Sequence, residues 1–149
     1  MSTAVRSAVL GSLLVVLIGF LSGCNLFVEY YEDVDNVGKT IVADWKEMPE
    51  VVDAKYDYTH GVDSGQRMAL EVVIRAESVS DEVIDKLREV AERDYWLGTT
   101  RKVSMHFAAY SSDNPPRDDD LSTDRAIRVE DVGVPEKVGL EKYGPRPTR

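Results

Sequence analysis

The chain predicts an α+β fold: a two-layer sandwich with two helices on one face of a small, mainly antiparallel sheet. Three observations carry this. Segments near 35–48 and 81–98 repeat apolar residues at helical spacing. Segments 51–59, 68–76 and 103–109 alternate apolar and polar residues, the period of a half-buried strand. The elements succeed one another as α-β-β-α-β, with Pro49, Gly61, Gly65 and Gly98 at the breaks.

The first helix is expected to begin around Asp35, with Asp33 or Asp35 as the N-cap. Val34, Val37, Ile41, Val42, Trp45 and Met48 form its apolar stripe, and Pro49 closes it. In the first strand Val52, Ala54, Tyr56 and Tyr58 share one face, and Asp53, Lys55 and Asp57 the other. Residues 60–67 read as a loop. Met68, Leu70, Val72, Ile74 and Ala76 then line the inner face of the second strand.

Folding the chain about Asp63 pairs Tyr58 with Met68, Tyr56 with Leu70, Ala54 with Val72 and Val52 with Ile74. Every inward partner is then apolar. On the other face Lys55 meets Glu71, a pair that stabilises a sheet by about 0.2–1 kcal/mol. A slip of one residue would turn polar groups inward, so the pattern specifies the register.

Ser80 is the N-cap of the second helix, with Asp81 and Glu82 in the first turn, where the dipole favours acids. Its stripe is Val83, Ile84, Leu87, Val90 and Ala91, and Glu82–Lys86 and Glu89–Arg93 are spaced as i,i+4 ion pairs. Gly98 is the stop. Val103, Met105, Phe107 and Ala109 face inward from the third strand, with Lys102, Ser104 and His106 outward. A right-handed crossover makes the second and third strands parallel. The third strand is expected beside the first and antiparallel to it. The arrangement resembles ferredoxin-like architectures, in element order alone.

Composition changes at Ser111. Five of the six prolines follow it, as does the run Arg117-Asp118-Asp119-Asp120. Residues 126–134 (AIRVEDVGV) are β-like and are expected to add an edge strand; the rest of 111–149 reads as a mobile tail.

The first 24 residues carry the clearest motif. Arg6 is followed by an apolar run over 8–21, interrupted by Ser12 and two glycines, and then by Leu21-Ser22-Gly23-Cys24. The run is too short to span a bilayer comfortably, which takes ~20 apolar residues, and it fits the h-region of a secretory signal. Leu21-Ser22-Gly23-Cys24 resembles the lipobox of bacterial lipoproteins. The resemblance covers residues 1–24 and implies that Cys24 receives a diacylglyceryl group through a thioether. It also implies cleavage between Gly23 and Cys24 by signal peptidase II and acylation of the new amino group. Each buried acyl CH₂ contributes roughly 0.8 kcal/mol, and two chains anchor firmly where one is marginal.

The expected organisation is thus a cleaved signal over 1–23, a lipid-anchored tether over 24–33, the α+β domain over 34–110 and the tail. Loss of the leader removes Arg6 and no acid, so 17 cations face 27 acids and net charge moves from -9 to -10. Such a surface argues against nucleic acid, which calls for a basic patch, and against attachment to anionic headgroups by charge. The membrane partner is then reached through the lipid alone. Asn25 is not the aspartate that marks inner-membrane retention in some two-membrane bacteria. Cys24 is the only cysteine, so no disulfide forms within the chain. Leu26, Phe27, Val28, Tyr30 and Tyr31 enrich the tether in apolar and aromatic groups, some of them expected to pack under the domain.

Candidate chemistry is thin. His60 lies near Asp57 and Asp63, but a metal or acid–base site needs a third convergent group, and His106 is placed on the open sheet face. Asp118, Asp119 and Asp120 lack the spacing and glycine of a calcium loop. Ser64 and Ser104 lack, in sequence, a base and an orienting group. Trp45 reads as core, whereas Tyr95 and Trp96, at a helix end, read as a partly exposed partner contact. Lys55, Glu71, Arg75, Lys102 and His106 give the open face mixed charge. No glycine-rich phosphate loop occurs. The expected function is a membrane-anchored, non-catalytic module of the cell envelope, either an interaction module with an envelope protein as its partner or a structural one. No metal or cofactor is expected beyond the lipid on Cys24. The alternative is a carrier of a small ligand in an aromatic-lined cleft, and an envelope hydrolase ranks last.

Overall fold

A computed structural model describes residues 29–62, 64–117 and 123–148. The lipobox residues Leu21, Ser22, Gly23 and Cys24, and also Asp63 and Asp118–Asp120, lie outside them. The fold is α+β, with elements α1 (Glu32–Lys46), β1 (Val51–Gly61), β2 (Gly65–Ile74), a 3-10 turn (Ala76–Ser78), α2 (Asp81–Gly98), β3 (Ser104–Ser111), β4 (Arg128–Val132) and α3 (Glu136–Tyr143). The strands form one sheet in the order β1-β2-β3-β4, antiparallel, parallel and antiparallel in turn.

The core lies between this sheet and the helices. Val34, Val37, Ile41 and Trp45 of α1 and Ile84, Leu87 and Ala91 of α2 meet Met68, Leu70, Val72, Ile74, Met105, Phe107 and Ala109. Trp45 is fully buried, sets its ring edge-on to Phe107 at 5.6 Å and donates Nε1–H to the Leu87 carbonyl at 2.9 Å. The indole thus meets both its apolar and its polar requirement. Two glycines let the layers close. A Cβ at Gly38 would collide with the Tyr56 ring, and one at Gly98 would sit 2.5 Å from Val37 Cγ2. Gly98 is therefore required by close approach of α1; it is the last helical residue and has no positive φ.

The hairpin register is the one the sequence specifies: Tyr58↔Met68, Tyr56↔Leu70, Ala54↔Val72 and Lys55↔Glu71, with the last pair ion-bonded at 3.0 Å. Val52 departs from it. A bulge between Val51 and Asp53 pairs Val51 with Ile74, buries Val51 and leaves Val52 51% exposed. One extra residue in one strand exchanges which side chain points inward. The strands also run on to Gly61 and restart at Gly65, so most of the expected 60–67 loop is ladder. Gly65, at φ +60°, takes the left-handed turn position that suits glycine. Ala76 leaves the strand for the 3-10 turn.

Ser80 caps α2 as expected, its Oγ accepting from the Val83 N–H at 3.3 Å. The cap of α1 is corrected. Tyr31 occupies the N-cap without a side-chain bond. Asp35 instead accepts from Tyr56 and pairs with Lys39 at 2.6 Å, and Asp33 turns toward Thr99 and Arg101. Within α2, Glu89 pairs with Lys142, and Arg93 with Asp44 and the adjacent Asp94, so other partners replace the Glu89–Arg93 pair expected from the sequence. Tyr31 packs on the core under the Arg101 guanidinium, 3.4 Å from its ring centre, whereas Tyr30 stays about half exposed.

Sheet order is the main topological correction. β3 lies parallel to β2, as the crossover requires, but beside β2 and not beside β1. Sequential elements tend to lie adjacent in space, and the outer edge of β3 then accepts β4, the strand expected in the tail. Arg128 of β4 reaches Asp81 and Asp85 of α2, and Glu130 reaches Arg88. Beyond it α3, which nothing in the sequence reading anticipates, packs on α2. A Cβ at Gly139 would overlap the Trp96 ring, and Trp96 Nε1–H donates to the Gly144 carbonyl at 2.8 Å.

Candidate functional site

Alternation along four paired strands sorts the outward side chains into rows across the open face. The registers align Thr59, Arg67 and Ser104 in one row, and Asp57, Ala69, His106 and Asp131 in the next. Lys55, Glu71, Ala108 and Val129 form the third, and Asp53, Val73 and Tyr110 the fourth. Small side chains at Ala69 and Ala108 lower the middle of the face. A groove of about 350 Å³ results, walled by Asp57, Arg67, Glu71, His106, Thr123 and Val129. It falls within the range of small-molecule sites, ~300–1,000 Å³.

The far rows are covered where they cross β3. Ala108 and Tyr110 point outward, yet they are 6% and 1% exposed. The segment after β3 returns over them: Ser112 bonds back to Ile74 and Ala76, and Ile127 N–H reaches the Ala109 carbonyl at 2.8 Å. Pro115 and Pro116 wall a second cavity, of about 290 Å³, with Lys55, Glu71 and Val73. The open face is thus a partly roofed groove that leaves the rows of Ser104 and His106 accessible.

At that accessible end three side chains form a chain of hydrogen bonds. His106 Nδ1 lies 2.6 Å from Asp131 Oδ1, and His106 Nε2 lies 3.3 Å from Ser104 Oγ. With Nδ1–H donating to the carboxylate, Nε2 is left as an acceptor facing the serine hydroxyl. Ser104 and His106 are two apart on one strand and share a face; Asp131 is the direct partner of His106 on β4. In sequence Ser104 lacks a base and an orienter. The structure supplies both, and only the unforeseen pairing of β4 with β3 brings the aspartate there. Ser64 lines the same groove from the hairpin end.

Other candidates separate. His60, even-numbered on β1, shares the face of Tyr58, with the rings of Tyr30 and Tyr58 each 5.6 Å away. Asp57 lies on the opposite face and accepts from Thr59 at 3.1 Å. Of the charged residues expected on the open face, Lys55, Glu71 and His106 are there. Arg75 follows β2 and donates to the Pro49 carbonyl, and Lys102 precedes β3. Among the described residues no group of three His, Cys, Asp or Glu could hold a metal ion, and no helix is long and apolar enough to cross a membrane.

Tyr95 and Trp96 are buried, at 7% and 1% exposure, because α3 and the tail cover them. Arg146 lies over both rings, 4.3 Å from the Trp96 centre and 5.4 Å from that of Tyr95. Beside them opens a cleft of about 470 Å³, walled by Lys102, Val103, Val132, Val134 and Arg146. No family model matches this chain, and neither a curated protein nor a solved structure matches it.

Proposed function

We propose that the chain is a membrane-anchored bacterial lipoprotein whose α+β domain serves the cell envelope by binding at its open sheet face. The observation that carries the anchor is Leu21-Ser22-Gly23-Cys24 closing an apolar run, with the lone cysteine at the cleavage offset. The partly roofed groove supports the binding half of the reading. It combines a small apolar floor with fixed charges of both signs, the mixture that gives orientation as well as affinity. A protein of the envelope is the partner proposed for it.

Metabolic labelling with a fatty acid tests the anchor. The native chain incorporates label and partitions with membranes, and Cys24→Ser abolishes both and accumulates uncut precursor. Normal processing and labelling of that variant would refute lipidation. Photocrosslinkers placed at Val129 and Thr123 test the binding half: an adduct with one envelope protein, lost when Ala69 and Ala108 are enlarged to Leu, supports it.

A second reading, a carrier of a small ligand, is favoured by the cleft beside Tyr95 and Trp96. Its valines and its two cations, Lys102 and Arg146, against the one acid Glu136, suit an apolar molecule bearing an anionic group. Quenching of Trp96 fluorescence by such a ligand, lost in Arg146→Ala, would move the weight there.

A further inference from the structure

We propose that Ser104, His106 and Asp131 form a nucleophile site that cleaves small carboxylic esters bound in the open-face groove. The inference goes beyond the binding reading and does not depend on the anchor. It rests on the hydrogen-bond chain already described: serine to imidazole at 3.3 Å and imidazole to carboxylate at 2.6 Å. A nucleophile, a base within reach and a third group that orients the base are the signature of an activated serine. All three sit on paired strands, which hold a site more tightly than loops do.

The groove supplies what the chain of three lacks. Arg67 is the register partner of Ser104 on β2 and lines the groove, so the serine row carries a cation of the kind that offsets negative charge on an ester oxygen. Ala69, Ala108 and Val129 leave room for a short acyl chain. Solvent sets the scale of the activity. Asp131 is 82% exposed and His106 38%, and water competes with an exposed charged contact. The site therefore gains strength when a ligand covers the row, and it suits small activated esters over amides.

In the reaction Ser104 Oγ attacks the ester carbonyl while His106 Nε2 takes the hydroxyl proton. The bond from carbonyl carbon to alkoxide oxygen breaks, the alkoxide receives that proton, and an alcohol leaves with the acyl group on Ser104. A water molecule, deprotonated by His106, then attacks the acyl carbon. The carboxylic acid departs and the proton returns to Ser104 Oγ. Asp131 is a positioning residue that holds the imidazole in the tautomer with Nε2 free.

The full chain purified in detergent is treated with a fluorophosphonate probe and assayed with p-nitrophenyl acetate and butyrate. The expected result is a single adduct on Ser104 and turnover that Ser104→Ala abolishes. His106→Gln lowers kcat by about 10²-fold or more, the usual worth of a general base. Asp131→Asn lowers kcat with KM unchanged, and Asp131→Glu restores part of it. All three positions are solvent-accessible, and circular dichroism confirms that each variant is folded. Absence of an adduct, an adduct on another residue, or turnover unchanged in Ser104→Ala would overturn the proposal.

Discussion

The hydroxyl of Thr99 donates to the carboxylate of Asp33 at 2.6 Å, joining the segment after α2 to the first turn of α1. Arg101 Nε donates to the other oxygen at 3.1 Å, and the Thr99 oxygen also accepts from the Arg101 N–H at 3.0 Å. Burial pushes the Asp33 carboxyl up, but the bonds from Thr99 and Arg101 outweigh it and hold the carboxyl below its ordinary range.

That shift has a direction in pH. An acid whose folded value is depressed stabilises the fold fully above its unfolded value, about 3.9, and loses the contribution as pH falls through the folded value. Thr99→Ala should lower stability by about 1–2 kcal/mol at pH 7, since hydrogen bonds to a charged group are at stake. The cost of Asp33→Asn should shrink between pH 5 and pH 2. Urea titrations at several pH values check this; a cost independent of pH would remove Asp33 from the acid response.

Asp94 should behave in the opposite sense. Burial raises its carboxyl above the ordinary range despite the Arg93 guanidinium 2.7 Å away, and Oδ2 is buried without a hydrogen bond. An acid with a raised folded value withdraws stability as pH rises past its unfolded value. Asp94→Ala also places a better helix former inside α2. The variant should gain about 0.5–1 kcal/mol at pH 7 and less at pH 3, by thermal melting; a loss at pH 7 would mean that the Arg93 pair outweighs burial.

Gly139→Ala sets two effects against each other. In an exposed helix the change gains roughly 1 kcal/mol. Here the added Cβ overlaps the Trp96 ring, and overpacking costs about 1–3 kcal/mol. The loss should win, with α3 displaced and Trp96 emission shifted to the red. An unshifted spectrum with raised stability would show that α3 does not rest on Trp96.

Val51 and Val52 test the bulge. Val51→Thr should cost about 1–2 kcal/mol, because a hydroxyl enters the core, while Val52→Thr should stay within about 0.5 kcal/mol, as exposed substitutions usually do. The reverse ranking would restore the unbroken alternation.

The legible parts of the fold are those in which local pattern and tertiary contact agree. Tyr58, Tyr56 and Ala54 find Met68, Leu70 and Val72 because alternation and a short hairpin leave one register with an apolar interior. Val52 breaks it because a bulge alters parity without altering composition. Asp33 and Asp35 look like caps by type, yet partners 66 and 21 residues away, Thr99 and Tyr56, claim them. α3 is illegible because its contact with Trp96 is made by Gly139 and the Gly144 carbonyl, with no apolar stripe. Of the candidate site, Ser104 and His106 are visible as neighbours on one face. Asp131 is not, since a strand pairing across 25 residues leaves no local trace.

A tether from Cys24, as proposed, would determine what the groove can meet. Tyr31 N–H bonds the Tyr58 hydroxyl, and the Glu29 carbonyl accepts from Gln66, so the chain enters the domain at the hairpin end of the sheet. Thr59, Arg67 and Ser104 make the outward row nearest that end. Seven peptide steps separate Tyr31 from Cys24, at most about 25 Å when fully extended. With Cys24 lipidated as proposed, the domain stands no further than this from the headgroups, hairpin end first. The serine row would then look toward the bilayer, and molecules that concentrate at a lipid surface would reach it before those dissolved in the surrounding water.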